Sequence, residues 1–264
     1  MEILVVDNGS RDGSQSIDEE FPEVTVLRLP HHFGLTKARN IGIRTAKAEH
    51  LLLLAPEVEM SPGSVTKLAE RLKAEPGSLA VCPLLVDGEG RRVSRARRLP
   101  TPSEVGQSWR DPNGLPAVAL QEGTDPVAME LHDGNALLIR KQTIQGINYL
   151  DERYGDSWID VELAYQIRRA GKKILLIPSI TGKLGYSGGD GDAEFRALVD
   201  ADRAAGASSY IGKQAGWLAG FSFKVKVALV TLVGMLTLTD LGYRAGLLSR
   251  LMAGEKIDGT DQRL

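Results

Sequence analysis

The chain has 264 residues, of which 42% are apolar and 25% are charged, and its formal net charge is −2. This composition is ordinary for a globular protein, and the small net charge gives no reason to expect nucleic acid as a partner. The single cysteine, Cys82, excludes an internal disulfide and any zinc site built from several cysteines, and it indicates a reducing compartment. Met1 leads straight into an apolar run, so no secretion signal is expected.

The first apolar run, residues 3–6, predicts a buried strand that ends in the turn-forming sequence Asp-Asn-Gly-Ser. Parallel strands deliver the residues that follow them to one edge of the sheet, where ligands bind. Asp7, Asn8 and Asp12 are therefore candidate ligand-binding residues. An ordinary turn explains them equally well.

A second strand is predicted at residues 24–29, and apolar residues at three- and four-residue spacing predict a helix over residues 35–46. Lys37 and Arg39 flank the first turn of this helix. The N-terminus of a helix together with two cations suits a diphosphate, because its unpaired N–H groups and its dipole favour anions. A solvated basic face is the alternative.

Residues 51–54 are four consecutive leucines, which predict a buried strand. The carboxylates of Glu57 and Glu59 follow it, and Mg²⁺ and Mn²⁺ prefer oxygen ligands, so both residues are candidate metal ligands. Further on, five arginines within residues 91–98 are expected to form a solvated hairpin face, and residues 103–128 a long loop.

Apolar residues at helical spacing from Asp160 onward predict an amphipathic helix that is closed by Gly171. Asp160 is expected at or near the N-terminus of this helix, where it could act as a general base or could simply cap the helix. A last strand is predicted at residues 173–177, ending at Pro178.

From residue 193 the pattern becomes helical, so two parts are predicted, an α/β domain over residues 1–192 and a C-terminal helical region over residues 193–264. Within the second part, the uncharged stretch of residues 227–238 is only 12 residues long, whereas a bilayer span needs about 20. Peripheral membrane contact through residues 217–250 is therefore expected rather than a span.

Several segments, in order, resemble a family 2 glycosyltransferase of the GT-A fold, in its rhamnosyltransferase-like branch. These segments are residues 2–14, 33–43, 51–57, 134–140 and 150–163. The resemblance implies a GT-A-like (Rossmann-like), mainly parallel sheet flanked by helices. It also implies an inverting glycosyltransferase of polysaccharide or cell-envelope synthesis, with a nucleotide diphosphate sugar such as dTDP-rhamnose as donor and a glycan or lipid-linked acceptor.

The resemblance assigns roles to individual residues. Asp160 becomes the catalytic base, Trp158 and Glu162 face the acceptor, and Arg97 and Arg98 lie near phosphates. Glu57 and Glu59 would hold Mg²⁺ or Mn²⁺. The residues implied in donor binding are Asp7, Asn8, Asp12, Lys37, Arg39 and Asn40. Such an enzyme is expected in the cytoplasm, at the inner face of the cell membrane.

The chain also departs from the family pattern. Ala55 and Ile159 stand where the family has polar or acidic residues, and no histidine follows the last strand, where Asp190 and Asp192 could compensate. The family's usual first strand is not recognised either. These departures favour an alternative, a non-catalytic glycosyltransferase-like scaffold or partner subunit. An unrelated nucleotide-binding fold is disfavoured, because no glycine-rich phosphate motif follows a strand.

Overall fold

The structure is a computed structural model that describes residues 1–111, 114–115, 117–118, 123–132, 134–185, 192–255 and 257. The strands are β1 (Ile3–Asp7), β2 (Val24–Arg28), β3 (His50–Leu54), β4 (Val58–Met60), β5 (Ser78–Val86), β6 (Val127–Met129), β7 (Ala136–Arg140) and β8 (Lys173–Leu184). The helices are α1 (Ile17–Glu20), α2 (Leu35–Thr45), α3 (Ser64–Ala74), α4 (Pro102–Ser108), α5 (Lys141–Gly146), α6 (Gly155–Arg169), α7 (Ala193–Ala215), α8 (Trp217–Met235) and α9 (Leu241–Ala253).

Within the described residues the strands form two separate sheets. β1 and β2 pair in parallel with each other, and the other six strands form a sheet of order β3-β7-β5-β8-β4, with β6 also paired to β8. In the larger sheet β5 and β8 are parallel, whereas β3–β7, β5–β7, β4–β8 and β6–β8 are antiparallel. The α/β class is as predicted. The larger sheet is mixed rather than mainly parallel, because β7 runs against both of its neighbours.

β8 does not end at Pro178 as the sequence predicts, because the strand continues to Leu184. Its register against β5 shifts between the pairs Pro83–Ile177 and Leu84–Thr181, so three residues including Pro178 fall in a bulge. A proline is tolerated there because no ladder hydrogen bond is needed from it.

The predicted loop of residues 103–128 overlaps α4 at its start and β6 at its end. α4 begins with a capping box, in which Thr101 Oγ1 accepts from the Glu104 N–H (3.4 Å) and the Glu104 carboxylate accepts from the Thr101 N–H (2.9 Å). Arg98 pairs with the same carboxylate, and these contacts lower the pKa of Glu104 to about 2. Arg98 is therefore already paired with an acid, and Arg97 is buried, which does not support phosphate contact by the pair.

The C-terminal helices share a hydrophobic core with the α/β part. Trp158 of α6 stacks on Tyr210 of α7 at a centroid distance of 6.3 Å, and the same buried cluster reaches Phe223 of α8. α7 begins directly after Asp192, whose carboxylate accepts from the Phe195 N–H at 2.8 Å. The division into two parts at residue 192 remains a prediction, but the core is common to both.

Candidate active site

The loop after β1 is held against the loop after β2. Asp7 is buried, and the Asn8 Oδ1 atom accepts from the Phe33 N–H at 2.9 Å. Gly9 has φ +81°, and a Cβ there would lie 2.5 Å from the His31 carbonyl carbon. These contacts bring the two loops together in front of α2.

Asp12 lies further out on the first of these loops. Its carboxylate accepts from the Ser14 N–H at 3.0 Å and also from the Ser14 hydroxyl, and these hydrogen bonds lower its pKa. Both side chains are exposed to solvent. The Asp12 carboxylate therefore stabilises the turn in which it lies. Its contact with the donor stays a prediction.

The N-terminus of α2 is occupied by a carboxylate from another helix, that of Asp156 in α6. The N–H groups of Leu35 and Thr36 donate to the two carboxylate oxygens of Asp156 at 2.8 and 2.9 Å. The Lys37 ammonium lies 4.3 Å from the centroid of the Phe33 ring. The diphosphate predicted for this helix end would compete with Asp156, because the carboxylate uses the first N–H groups of the helix. A diphosphate at this helix end would have to displace Asp156, and the donor contact of Lys37 and Arg39 stays a prediction.

Asp160 lies in a cluster with Arg39, His132 and Gly134. The Arg39 guanidinium is 3.4 Å from Asp160 Oδ1 and also donates to the Gly134 carbonyl at 3.1 Å. His132 Nδ1 accepts from the Gly134 N–H at 2.9 Å, and its Nε2 atom is 4.0 Å from Asp160 Oδ1. The Asp160 side chain remains 24% exposed, whereas that of Arg39 is 13% exposed. The cluster fixes the carboxylate and leaves it accessible.

The loop after β3 borders this cluster. The Ala55 N–H donates to the carbonyl of Asn135, the residue after Gly134, at 2.8 Å. The Glu57 carbonyl accepts from the Gly185 N–H at 2.8 Å, which joins the loop to the end of β8. Glu59 lies in β4, opposite Lys183. The loop that carries Glu57 thus begins beside Asn135, the neighbour of Gly134, whereas Glu59 lies in β4 at the far edge of the sheet.

Within the described part of the chain, no group of three or more His, Cys, Asp or Glu side chains could hold a metal ion. Mg²⁺ is often bound by only one or two carboxylates together with substrate phosphates, a number that Glu57 and Glu59 provide. Asp190, one of the residues that could compensate for the missing histidine, lies outside the described residues. Asp192 caps α7 instead.

The sequence model of Glycosyl transferase family 2 matches residues 1–141, slightly more than half of the chain. The chain belongs to glycosyl transferase family 2. Over 197 residues it is 26% identical to the N-acetylglucosaminyl-diphospho-decaprenol L-rhamnosyltransferase of Mycobacterium tuberculosis H37Rv. That alignment covers 67% of the chain and 64% of the relative, so the chain spans somewhat less than two thirds of this relative's length.

Solved structures confirm the GT-A glycosyltransferase fold. GalNAc-T7 in complex with UDP, GalNAc and Mn²⁺ has a TM-score of 0.57 at 18% identity, over 81% of this chain and 45% of its own. S. aureus TarS 1-349 in complex with UDP-GlcNAc has a TM-score of 0.52 at 12% identity, over 96% of this chain and 83% of its own. The predicted resemblance to family 2 is therefore confirmed in both sequence and fold.

The position of Asp160 in this family 2 chain differs from the prediction. α6 begins at Gly155, so Asp160 lies in its second turn and is not a cap. Asp156 occupies the first turn. The alternative explanation of Asp160 as a plain helix-capping residue is therefore wrong, and its carboxylate is oriented by Arg39 and Gly134 instead.

Three predicted site residues are buried away from this cluster. The Asn40 side-chain amide is hydrogen-bonded to the backbone N–H and C=O of Leu150, at 3.0 and 2.9 Å. Trp158 is fully buried in the core, and Glu162 is buried and paired with Lys213 at 2.5 Å. Residues 160 and 162 of a helix point about 200° apart. Their burial does not favour direct contact of Asn40 with the donor or of Trp158 and Glu162 with the acceptor, and these contacts stay predictions.

The sequence prediction missed His132, Gly134 as a close neighbour of Asp160, and Asp156. The motif that begins at Gly134 was recognised, but its contact with Asp160 depends on packing between segments, and no local pattern marks His132 as a site residue. A signal existed for Asp156, because an acidic residue is favoured in the first turn of a helix. It was masked by placing the start of the helix five residues late.

Proposed function

We propose that this family 2 chain is an inverting glycosyltransferase that transfers a sugar from a nucleotide diphosphate sugar to a hydroxyl of a glycan or lipid-linked acceptor. The observation that supports this most strongly is the partly exposed Asp160 carboxylate, held by Arg39 and Gly134 beside the loop after β3. A carboxylate fixed in this way can act as a general base. Its accessibility leaves room for the acceptor hydroxyl.

In the proposed step the acceptor oxygen forms a bond to the anomeric carbon on the face opposite the leaving group. The bond between that carbon and the diphosphate oxygen breaks, and the diphosphate leaves with the electron pair. The acceptor proton passes to Asp160. Arg39 keeps the carboxylate in place through one guanidinium nitrogen and is itself fixed to the Gly134 carbonyl through another.

The donor side of the proposal rests on the loops after β1 and β2, which the Asn8–Phe33 hydrogen bond holds together. Asp7, Asn8, Asp12, Lys37 and Arg39 are the residues proposed to contact the donor. Asn40 supports them from behind by tying α2 to Leu150.

Glu57 and Glu59 are the proposed ligands of Mg²⁺ or Mn²⁺. Carboxylate oxygens suit either ion, and donor phosphates commonly complete such a site. When bound, the ion would offset the negative charge of the leaving diphosphate. GalNAc-T7, a fold neighbour, was crystallised with UDP, GalNAc and Mn²⁺, which is consistent with such use.

The substrate class is proposed from the Mycobacterium tuberculosis relative, whose name specifies rhamnosyl transfer to a diphospho-decaprenol-linked N-acetylglucosamine. By analogy, rhamnose on a nucleotide diphosphate is the proposed donor, and a polyprenyl diphosphate sugar is the proposed acceptor. We propose that the reaction takes place in the cytoplasm, at the inner face of the cell membrane, within cell-envelope synthesis.

A donor panel tests this function. The full chain is incubated with dTDP-rhamnose, UDP-GlcNAc or GDP-mannose, a polyprenyl diphosphate N-acetylglucosamine and Mg²⁺ or Mn²⁺, and products are identified by mass spectrometry. We expect rhamnosyl transfer, with an anomeric configuration by NMR opposite to that of the donor. Retained configuration would refute the inverting step, and transfer from another donor alone would refute the proposed sugar.

A second candidate is a non-catalytic glycosyltransferase-like subunit. The observations that favour it are Ala55 and Ile159 at positions where the family carries polar or acidic groups. This candidate predicts that no donor is turned over under any of these conditions, and that calorimetry with UDP or dTDP shows no dependence on Mn²⁺. Turnover of any donor by the full chain excludes it.

A further inference from the structure

α8 has one side packed on the protein and one side exposed. Gly220, Phe223, Val227 and Thr231 recur at three- and four-residue spacing and are buried. On the opposite side, six large apolar side chains, five in α8 and Leu236 directly after it, are each at least half exposed, and together we call them the outer face of α8. They are Trp217 (73%), Leu218 (63%), Phe221 (60%), Leu229 (55%), Leu232 (50%) and Leu236 (81%). Contiguous apolar surface of this kind marks a partner or a membrane.

The charges around the outer face select one kind of partner. At about 100° per residue, Lys224 and Lys226 lie near opposite borders of the outer face. The sequence contains no acidic residue between Trp217 and Thr239. Lysines that flank an apolar face can extend to phosphate headgroups while the apolar side chains enter the acyl region. This arrangement is complementary to a bilayer with anionic lipids.

Packing on α7 favours a helix that lies in the membrane interface over one that spans it. In the described residues one helix, Trp217–Met235, is long and apolar enough to cross a membrane, and 22% of it is buried. The Ser208 hydroxyl donates to the Gly220 carbonyl at 2.9 Å, and a Cβ on Gly220 would lie 3.1 Å from Gly212 Cα. The uncharged stretch of residues 227–238 would extend only about 18 Å as a helix, less than the hydrocarbon thickness of about 30 Å.

We propose that the outer face of α8 inserts into the interface of a lipid bilayer that contains anionic headgroups, with the helix parallel to the membrane plane. α7 links this surface to the candidate active site, because Asp202 of α7 accepts from the Asp156 N–H at 2.9 Å. Gly206 of α7 also packs against the Tyr154 carbonyl, so closely that a Cβ would lie 2.2 Å from it. The proposal goes beyond sugar transfer, which could take place on a water-soluble acceptor without a membrane.

Vesicle binding by the full chain tests the proposal. Trp217 is 73% exposed, whereas Trp109 is 9% exposed and Trp158 is fully buried, so Trp217 should dominate any change in fluorescence. With vesicles of phosphatidylcholine and phosphatidylglycerol we expect co-sedimentation and a blue shift of the emission. The double variant Phe221→Glu, Leu232→Glu should bind at least tenfold more weakly. The matched control Phe21→Glu, at a residue that is 43% exposed and far from α8 in the sequence, should bind like the wild type.

The lysines have a separate readout. Lys224→Gln with Lys226→Gln should weaken binding to the anionic vesicles about tenfold or more and leave binding to pure phosphatidylcholine unchanged. Absence of co-sedimentation, or equal binding by the Phe221→Glu, Leu232→Glu variant, would overturn the proposal. Resistance to alkaline carbonate extraction would show a span instead. If the chain sediments as a dimer in velocity experiments and does not bind vesicles, a second copy of the chain covers the outer face instead.

Discussion

At the scale of single residues, the site depends on how the Asp160 carboxylate is held. Arg39 neutralises it from one side at 3.4 Å, and His132 Nε2 approaches it at 4.0 Å. Gly134 forms the surface against which it rests. None of these three residues is near Asp160 in sequence, so the geometry of the base depends on the packing of α2 and of the segment before β7 onto α6.

Gly134→Ala should therefore disturb Asp160 directly. A Cβ would lie 2.1 Å from Asp160 Oδ2, and φ at this residue is +79°. We expect the left-handed backbone alone to lower the free energy of unfolding by about 1–2 kcal/mol. Displacement of the base should reduce sugar transfer by about 100-fold. Urea unfolding and a transfer assay measure the two effects.

Gly88→Ala is the matched control, because a Cβ there would meet nothing within 4 Å. It should leave both quantities near the wild-type values. If Gly134→Ala retained full transfer activity, the close contact between Gly134 and the Asp160 carboxylate would not matter for the reaction.

His32 gives the site region a dependence on pH. Burial lowers the pKa of His32 below its ordinary value of 6.5, and the smaller opposing effect of Asp156 does not offset this. A histidine whose pKa is lowered on folding stabilises the fold above pH 6.5, and this stabilisation is lost as pH falls through the folded-state pKa. We expect the free energy of unfolding of the wild type to fall below pH 6.5.

The same decrease should be smaller in His32→Gln. His50 should account for part of the remaining decrease, because its pKa is also lowered, mainly by burial. In urea titrations between pH 7 and 5, the free energy of unfolding of the double variant His32→Gln, His50→Gln should therefore change less with pH than that of either single variant. Identical slopes in the wild type and His32→Gln would contradict this assignment.

At the scale of elements, Asp156 connects two helices. It belongs to the first turn of α6, yet its carboxylate accepts from the first N–H groups of α2 at 2.8 and 2.9 Å. The Thr36 hydroxyl donates to the Gly155 carbonyl at 2.9 Å and reinforces the same junction. The junction fixes where Arg39 of α2 meets Asp160 of α6.

Asp156→Ala removes this cap, and we expect the free energy of unfolding to fall by about 1–2 kcal/mol. Transfer activity should fall as well, because Arg39 and Asp160 lose their fixed relation. Asp18→Ala is the control, since it breaks an ion pair with Arg28 that is exposed to solvent. Such pairs contribute at most about 1 kcal/mol. If both variants lost the same free energy of unfolding, the α2–α6 junction would contribute no more to stability than an exposed ion pair.

Elements set by local signals were predicted well. The strand of residues 3–6, the start of α2 at Leu35 and the termination of α6 near Gly171 all agree with the structure, because each follows from a short apolar pattern and a turn residue. α4 was missed although Thr101 and Glu104 form a capping box, a signal present in the sequence. The direction of β7 and the continuation of β8 past Pro178 depend on neighbouring strands, which local patterns do not contain.

At the scale of the whole molecule, the C-terminal helices complete the core. Glu162 of α6 is buried and pairs with Lys213 of α7 at 2.5 Å, next to the stacked rings of Trp158 and Tyr210. Because the helices share this core with the sheet, we expect one cooperative unfolding transition for the chain.

Lys213→Ala should leave the buried Glu162 carboxylate without its cation. We expect a loss of about 3 kcal/mol in the free energy of unfolding. Lys226→Ala, at an exposed position of α8, is the control and should change it by less than about 0.5 kcal/mol. Tryptophan fluorescence and far-UV circular dichroism should report the same midpoint. Two separated transitions would show that the helical region unfolds on its own.

The site was only partly predictable, because several of its contacts join segments that are far apart in the sequence. Asp160 and the loop at residues 55–57 were recognised from their motifs, and the structure links them through Asn135 and Gly134. Trp158, Glu162 and Asn40 belong to the same motifs, but their burial depends on which side of α6 or α2 meets a neighbour. The capture of the α2 N-terminus by Asp156 arises from a contact 120 residues apart in sequence, which no local pattern reveals.

The most direct test of the proposed mechanism compares donor binding with sugar transfer in Asp160→Asn, with Asp87→Asn in an exposed turn as the control. Calorimetry should show unchanged affinity for the nucleotide diphosphate, because Asp160 is proposed to act on the acceptor. Transfer should fall by about 100-fold to 10,000-fold, since the base is lost. Transfer at the wild-type rate by a folded Asp160→Asn protein would contradict the account.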